Sequence, residues 1–281
     1  MLAIRGRHAT LRATQSAMAA SNSFFNSVQL TELTLRVHDL KRTRAFYENV
    51  LGLRVAMESE TRVALSASEA EPALIVLEHT PTAPAPVKGA AGLFHVAILY
   101  PSRANLGRVA RALMEKDVAF GTGDHGVSEA LYLDDPEGNG VELYADRPVN
   151  EWPPAQEDGQ VSMYTTAVDM KSLLNAATDE VGPLIPPRTR IGHVHLSVSD
   201  LGNVRAFYVD VLGFPVRQSS YPGALFLGRD GYHHHIGTNV WRSNRPAVAD
   251  GLGLANFTVR FFDAEELQRV IALAEKKGRL A

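Results

Sequence analysis

The stretch LTELTLRVHDLKRTRAFYENVLGLRV (residues 30–55) returns without a gap as IGHVHLSVSDLGNVRAFYVDVLGFPV (residues 191–216). Twelve of the 26 paired positions are identical, including Asp39 with Asp200, the two RAFY blocks and the two VLG blocks. A fixed self-offset marks a repeat architecture, so the chain reads as copies of one supersecondary unit. The same offset of 161 places GLFHVA (92–97) on GLANFT (253–258), and the helical stretch 106–116 on 267–277. Each half therefore divides again, which makes four units.

Side-chain spacing orders the elements inside a unit. An alternating strand comes first, and Asp39 or Asp200 then caps a helix. Phe46, Tyr47 and Val50 (Phe207, Tyr208 and Val211 in the second copy) form its apolar face, and Gly52 or Gly213 ends it. Short alternating segments follow: RVALSAS and PALIVLE in unit one, ALYLDD and GVELYAD in unit two, ALFLGRD and YHHHIGTNVW in unit three. The fold class is α+β, a tandem of βαβββ modules joined by the Pro-rich segments PTAPAP (81–86) and GPLIPP (182–187). Module four reaches only the counterpart of Phe120, so a truncated fourth module lacking its last three strands is expected. The expected organisation is a disordered leader (1–27), a first domain of modules one and two (28–149), and a linker with a short helix (150–190). Module three and partial module four make the second domain (191–281).

Composition narrows the chemistry. A chain with 45% hydrophobic and 21% charged residues and a net charge of −3 suits neither a nucleic-acid backbone nor an anionic membrane surface. No apolar run reaches membrane-spanning length. With no cysteine, thiolate metal sites and thiol nucleophiles are excluded, so a metal must be held by His and carboxylate. Residues 1–23 carry three Arg, many Ala and Ser and no acid, which resembles a mitochondrial transit peptide. The other reading is a disordered leader on a cytoplasmic protein, or a start codon assigned too far upstream.

Within module two, GDHGVSEALYLDDPEGNGVE (123–142) places His125, Tyr132 and Glu142 around a DPEGNG turn. Alternation puts Leu131 and Leu133 on one strand face and Tyr132 on the other. Beyond the turn, Val141 and Leu143 oppose Glu142 and Tyr144. A carboxylate on such a strand is costly to bury unless a positive partner meets it, and a metal ion is one.

The architecture resembles the vicinal-oxygen-chelate superfamily (glyoxalase, bleomycin resistance and extradiol dioxygenase proteins), over about residues 28–281. Paired modules forming curved half-barrels around a divalent metal are implied by that resemblance. Gly123, His125, Leu131, Tyr132, Asp135, Pro136, Gly138 and Glu142 fill every position of the motif of type I extradiol dioxygenases of the catechol 2,3-dioxygenase kind. The resemblance implies metal ligands Glu142 and His95, with a third His on the first strand of the partner module. Spacing alone permits His193 or His195 there, and Glu32 holds the matching place in module one. The family's ligand position, seven residues before Asp200, selects His193 and implies that modules two and three share the metal. Also implied are His234 as acid/base, with Tyr132 and His125 contacting substrate and oxygen. The expected cofactor is Fe(II), or Mn(II), the partners a small aromatic diol and O2, and the product a muconic semialdehyde; a homo-oligomer is compatible. The alternatives are a glyoxalase-like lyase or isomerase with His234 as a fourth ligand, and a metal-free binding protein.

Overall fold

The computed structural model describes residues 9–12, 23–177 and 182–279. Ahead of the modules, β1 is Ala9–Arg12. Module one comprises β2 (Val28–Val37), α1 (Leu40–Ala45, continuing as a π-helical turn Phe46–Leu51), β3 (Arg54–Glu58), β4 (Arg62–Ser66) and β5 (Ala73–His79). Module two comprises β6 (Gly92–Leu99), α2 (Arg103–Glu115), β7 (Gly121–Asp124), β8 (Ser128–Asp134) and β9 (Gly140–Asp146). The linker carries α3 (Met170–Ala176). Module three comprises β10 (Arg190–Ser197), α4 (Leu201–Val204, continuing as a π-helical turn Arg205–Val209), β11 (Val216–Gln218), β12 (Ala224–Leu227) and β13 (Ile236–Asn239). Module four supplies β14 (Gly253–Phe261) and α5 (Ala264–Lys276).

The expected caps form. Asp39 accepts from the Arg42 amide at 2.9 Å and Asp200 from the Asn203 amide at 2.6 Å, each satisfying a free amide of a helix N-terminus.

Two sheets result. The eight-stranded half-barrel runs β11-β12-β13-β10-β6-β9-β8-β7 and joins module three to module two through antiparallel β10 and β6. The six-stranded sheet runs β1-β14-β2-β5-β4-β3 and joins module four to module one through antiparallel β14 and β2. Segment 150–190 thus divides the modules along the chain but not in space, because each sheet takes one module from either side of it. In modules one to three the first and last strands pair in parallel (β2 with β5, β6 with β9, β10 with β13).

The leader departs from the expectation of disorder at two places. Ala9–Arg12 pair in parallel with Phe257–Arg260 of β14, in the position that a module's own last strand takes elsewhere. An open sheet edge offers unpaired N–H and C=O groups, and β1 covers that of β14. Ser23–Phe25 form a 3-10 turn, after which the Ser27 amide donates to Asp230 at 2.8 Å. The remaining leader residues, 1–8 and 13–22, lie outside the described residues, and with them most of the stretch read as a transit peptide. Deleting residues 1–22 is expected to lower the thermal midpoint and to speed amide exchange along β14, while β2 keeps its protection. Unchanged exchange in β14 would show that β1 contributes no stability.

The main core lies between the sheets and their helices. Val96 and Ile98 of β6, Leu131 and Leu133 of β8, Val141 and Leu143 of β9, and Val194 of β10 all face it. Alternation therefore turns His95, Ala97, Glu142 and Tyr144 to the concave side. The RAFY block also reaches the neighbouring module. Buried Tyr47 donates to Asp135 at 3.2 Å, and Asp135 also accepts from the Glu137 and Asn139 amides at 2.9 Å. The DPEGNG turn is fixed on both sides, and with it the start of β9.

Candidate metal centre

Register brings the ligand candidates together. Ala97 lies between His193 on β10 and Glu142 on β9 as the paired residue of both, and His95 follows two residues back on the same face of β6. A register shift between Ile191 and His193, at Gly192, turns Ile191 to the core and His193 to the cup. A Cβ on Gly192 would overlap the Tyr144 hydroxyl, so this bulge requires glycine.

His95 Nε2 lies 2.8 Å from Glu142 Oε2, His193 Nε2 lies 3.1 Å from the same oxygen, and the two nitrogens are 3.3 Å apart. An octahedron with arms of about 2.1 Å has edges of about 3.0 Å, so the triangle fits one face of a six-coordinate ion. All three residues are buried. Burial alone would raise the Glu142 pKa, but the His193 and His95 imidazoles outweigh it and hold the carboxyl well below its usual range. Burial lowers His193 to about 4, despite the attraction of Glu142. The trio is therefore a buried carboxylate beside a neutral His193 at neutral pH, a donor set short of positive charge. His193 Nδ1 is buried without a hydrogen-bond partner. Any N–H held between these atoms must leave for an ion to enter, because only the bare nitrogen coordinates.

His195, the other spacing-compatible candidate, lines the same cavity but stands outside the converging trio. Its Nε2 meets the Asn239 side-chain amide at 2.9 Å, and its ring packs against Gly237, where a Cβ would lie 2.8 Å from Nδ1. Glu32 belongs to the other sheet, where Arg62 stands 3.9 Å away.

Tyr132 lies directly across from Glu142 in the β8–β9 pairing. Burial, reinforced by the Glu142 charge, raises its pKa well above the usual range and keeps the phenol protonated. His125 Nδ1 meets the Tyr164 carbonyl at 3.0 Å, so it carries the proton, and bare Nε2 accepts from Tyr132 at 2.6 Å.

His234 also lines the cavity, its ring centroid 4.1 Å from that of His193. The His triplet is not on a strand, however, because β13 begins at Ile236. Strand alternation would send His233 and His234 apart, yet their Nδ1 atoms meet at 2.8 Å. His235 turns toward Phe25, Phe214 and Tyr232, where burial lowers its pKa to about 3.

His235 has a measurable consequence. A folded pKa below the unfolded value of about 6.5 means that the unfolded chain takes up a proton first as pH falls. Its contribution to stability is complete above about pH 6.5 and is lost toward pH 3, at roughly 1.4 kcal/mol per pH unit. Urea unfolding of His235→Asn across this range should show a pH slope shallower by one proton. An identical slope would place the acid sensitivity elsewhere.

The cavity measures about 450 Å3. Phe94, Phe226 and Trp241 wall it, and linker residues Met163, Tyr164 and Thr165 close one side. These wall residues were missed by the sequence reading: a linker aromatic such as Tyr164 carries no positional signal, and a strand aromatic such as Phe94 or Phe226 reads as ordinary core. Asp146 was also missed, although alternation from Glu142 through Tyr144 reaches it directly.

Residues 29–143 and 190–280 match the model of the Glyoxalase/Bleomycin resistance protein/Dioxygenase superfamily. A protein named catechol-2,3-dioxygenase from Bacillus subtilis (strain 168) is 45% identical over 249 residues, covering 87% of this chain and 86% of the relative. A single-residue variant of glyoxalase I from Zea mays shares the fold at 16% identity, with a TM-score of 0.51 over 89% of this chain and 82% of that one. A second glyoxalase I structure from Zea mays gives a TM-score of 0.50 at 16% identity, over 90% and 81% of the two chains.

Proposed function

This chain belongs to the Glyoxalase/Bleomycin resistance protein/Dioxygenase superfamily, and from that premise we propose that it is an extradiol dioxygenase cleaving catechol or a substituted catechol. The observation that carries the reading is the convergence of His95, Glu142 and His193 on the cavity floor. Two imidazoles and one carboxylate on one face of an octahedron leave three adjacent positions, the arrangement suited to non-haem Fe(II) oxygenases. Fe(II), or Mn(II), is the ion proposed there. Once bound, it would polarise the two diol oxygens and give the ring's electrons a path to O2.

The protein's own groups do the rest. The aromatic walls hold a planar ring, and about 450 Å3 leaves room for substituents. His234, buried and held neutral, takes the diol proton at a ring nitrogen and returns it as the ring opens. Tyr132, kept protonated, gives its one O–H to His125 and turns the hydroxyl oxygen, as an acceptor, toward the substrate atoms beside Glu142. Both atoms of O2 end in the muconic semialdehyde. His234 is less suited to a lyase's fourth ligand, because it stands outside the cluster in which the ligand atoms of His95, Glu142 and His193 all lie within 4.8 Å of one another.

The test is protein loaded anaerobically with Fe(II), mixed with catechol and opened to air, followed by the colour of the yellow ring-fission product. Product that disappears in His193→Ala is expected. Product that survives this substitution would remove His193 from the ligand set. No product from folded, iron-loaded protein across several catechols would favour the lyase reading.

A further inference from the structure

Behind His234 lies a buried chain of polar groups that the reaction as described does not use. Asp146, four residues beyond Glu142 on the same face of β9, accepts from Tyr232 at 3.1 Å and stands 2.9 Å from His233 Nε2. The Tyr232 hydroxyl also meets that of Tyr144 at 2.6 Å. His233 is fully buried, its ring 4.0 Å from that of Tyr232 and 5.7 Å from that of Trp152. Its Nδ1 lies 2.8 Å from His234 Nδ1, the only hydrogen bond His234 makes among the described residues.

Proton counting along this chain has one solution for a neutral His233. An ionised carboxylate only accepts, so His233 Nε2 carries the hydrogen. A neutral imidazole has a single N–H, which leaves His233 Nδ1 bare. The contact between the two Nδ1 atoms still needs one proton, and His234 must supply it. We propose that Asp146 and His233 are positioning residues that fix His234 as the Nδ1–H tautomer, presenting a bare Nε2 to the substrate's diol proton. The inference rests on the reading of His234 as the proton-handling group of the cavity. It adds that the group is set in its basic form before substrate arrives, through a hydrogen bond to a second imidazole.

Asp146→Asn is the discriminating change. An amide can donate to His233 Nε2, which reverses each proton in the chain and leaves His234 as Nε2–H. The same exchange in a Ser-His-Asp triad preserves geometry and costs about 10⁴ in kcat through the wrong tautomer. Here kcat on catechol should fall by about 10² or more, with KM within about threefold, because ring binding does not use the relay. The readout independent of turnover is the nitrogen NMR spectrum of 15N-histidine protein, metal-free and zinc-loaded, with His234 assigned through His234→Gln. Nδ1–H in the wild type and Nε2–H in Asp146→Asn are expected. A purely structural Asp146 would lower the melting temperature without switching the tautomer. The inference is overturned by a wild-type His234 protonated at Nε2, or by an Asp146→Asn protein with wild-type tautomer and kcat. If that variant fails to fold, the wild-type spectrum still decides. A wild type with the expected tautomer but no ring cleavage would sink the dioxygenase reading alone.

Discussion

Glu142→Gln protein is expected to purify without bound metal, to melt at one temperature with or without added Fe(II), and to lose ring cleavage. Glu142 supplies the only negative charge among the three converging ligands, and its Oε2 is the atom both imidazoles approach. Glutamine keeps the shape but removes the charge that draws a divalent ion in. An ion binding only the folded state stabilises it by about 4 kcal/mol at a thousandfold excess over Kd, and this increment should vanish. The metal-free variant should be as stable as the metal-free parent or more so, because a buried carboxylate without a cation is costly. Metal analysis and paired melting curves check both signs. A metal-dependent rise that persists in the variant would place the ion away from Glu142.

Gly140→Ala is expected to damage stability and the metal centre together. A Cβ at this position would overlap the Phe94 carbonyl oxygen and lie 3.1 Å from His95 Cβ. The obstacle is backbone of the adjacent strand, so relief requires moving β9 away from β6, and Glu142 travels with it. Overpacking of this kind costs about 1–3 kcal/mol or more, and each kcal/mol lowers the midpoint by about 2–4 °C in a chain of this size class. Gly138, two residues earlier in the same turn, is the comparison. Its φ of 83° favours glycine, but a Cβ there would meet nothing within 4 Å. Gly138→Ala should therefore cost only about 1–2 kcal/mol of backbone strain and leave metal affinity unchanged. Equal metal loss in the two variants would mean that the turn as a whole, not the strand contact, positions Glu142.

The modules were legible because helix caps, RAFY blocks and glycine stops recur at one spacing, and each recurrence has a local physical cause. Glu142 was legible for a similar reason: a lone carboxylate among apolar alternation is anomalous. Choosing His193 over His195 needed more than spacing, because both stand on one face of β10. The bulge at Gly192 and the bond from His195 to Asn239 separate them only in three dimensions. The bends at 232–235 hid the contact between His233 and His234, since a run of histidines has no periodicity from which to read a turn. Ala9–Arg12 is four residues long, and its partner lies about 250 residues away in sequence, beyond the reach of local pattern.

That pairing also decides how the protein would carry load. β1 and β14 are parallel neighbours, and one stands near each end of the chain. Tension applied through residue 9 and residue 261 would drag the two strands past one another along their axes. Every hydrogen bond between them would then be strained at once, rather than peeled in turn. The rest of the chain, closed between Arg12 and Gly253 as one loop, would feel no pull until that joint failed. With force applied at residues 9 and 261, the first force peak should therefore report the β1–β14 joint, with the metal cup still folded behind it.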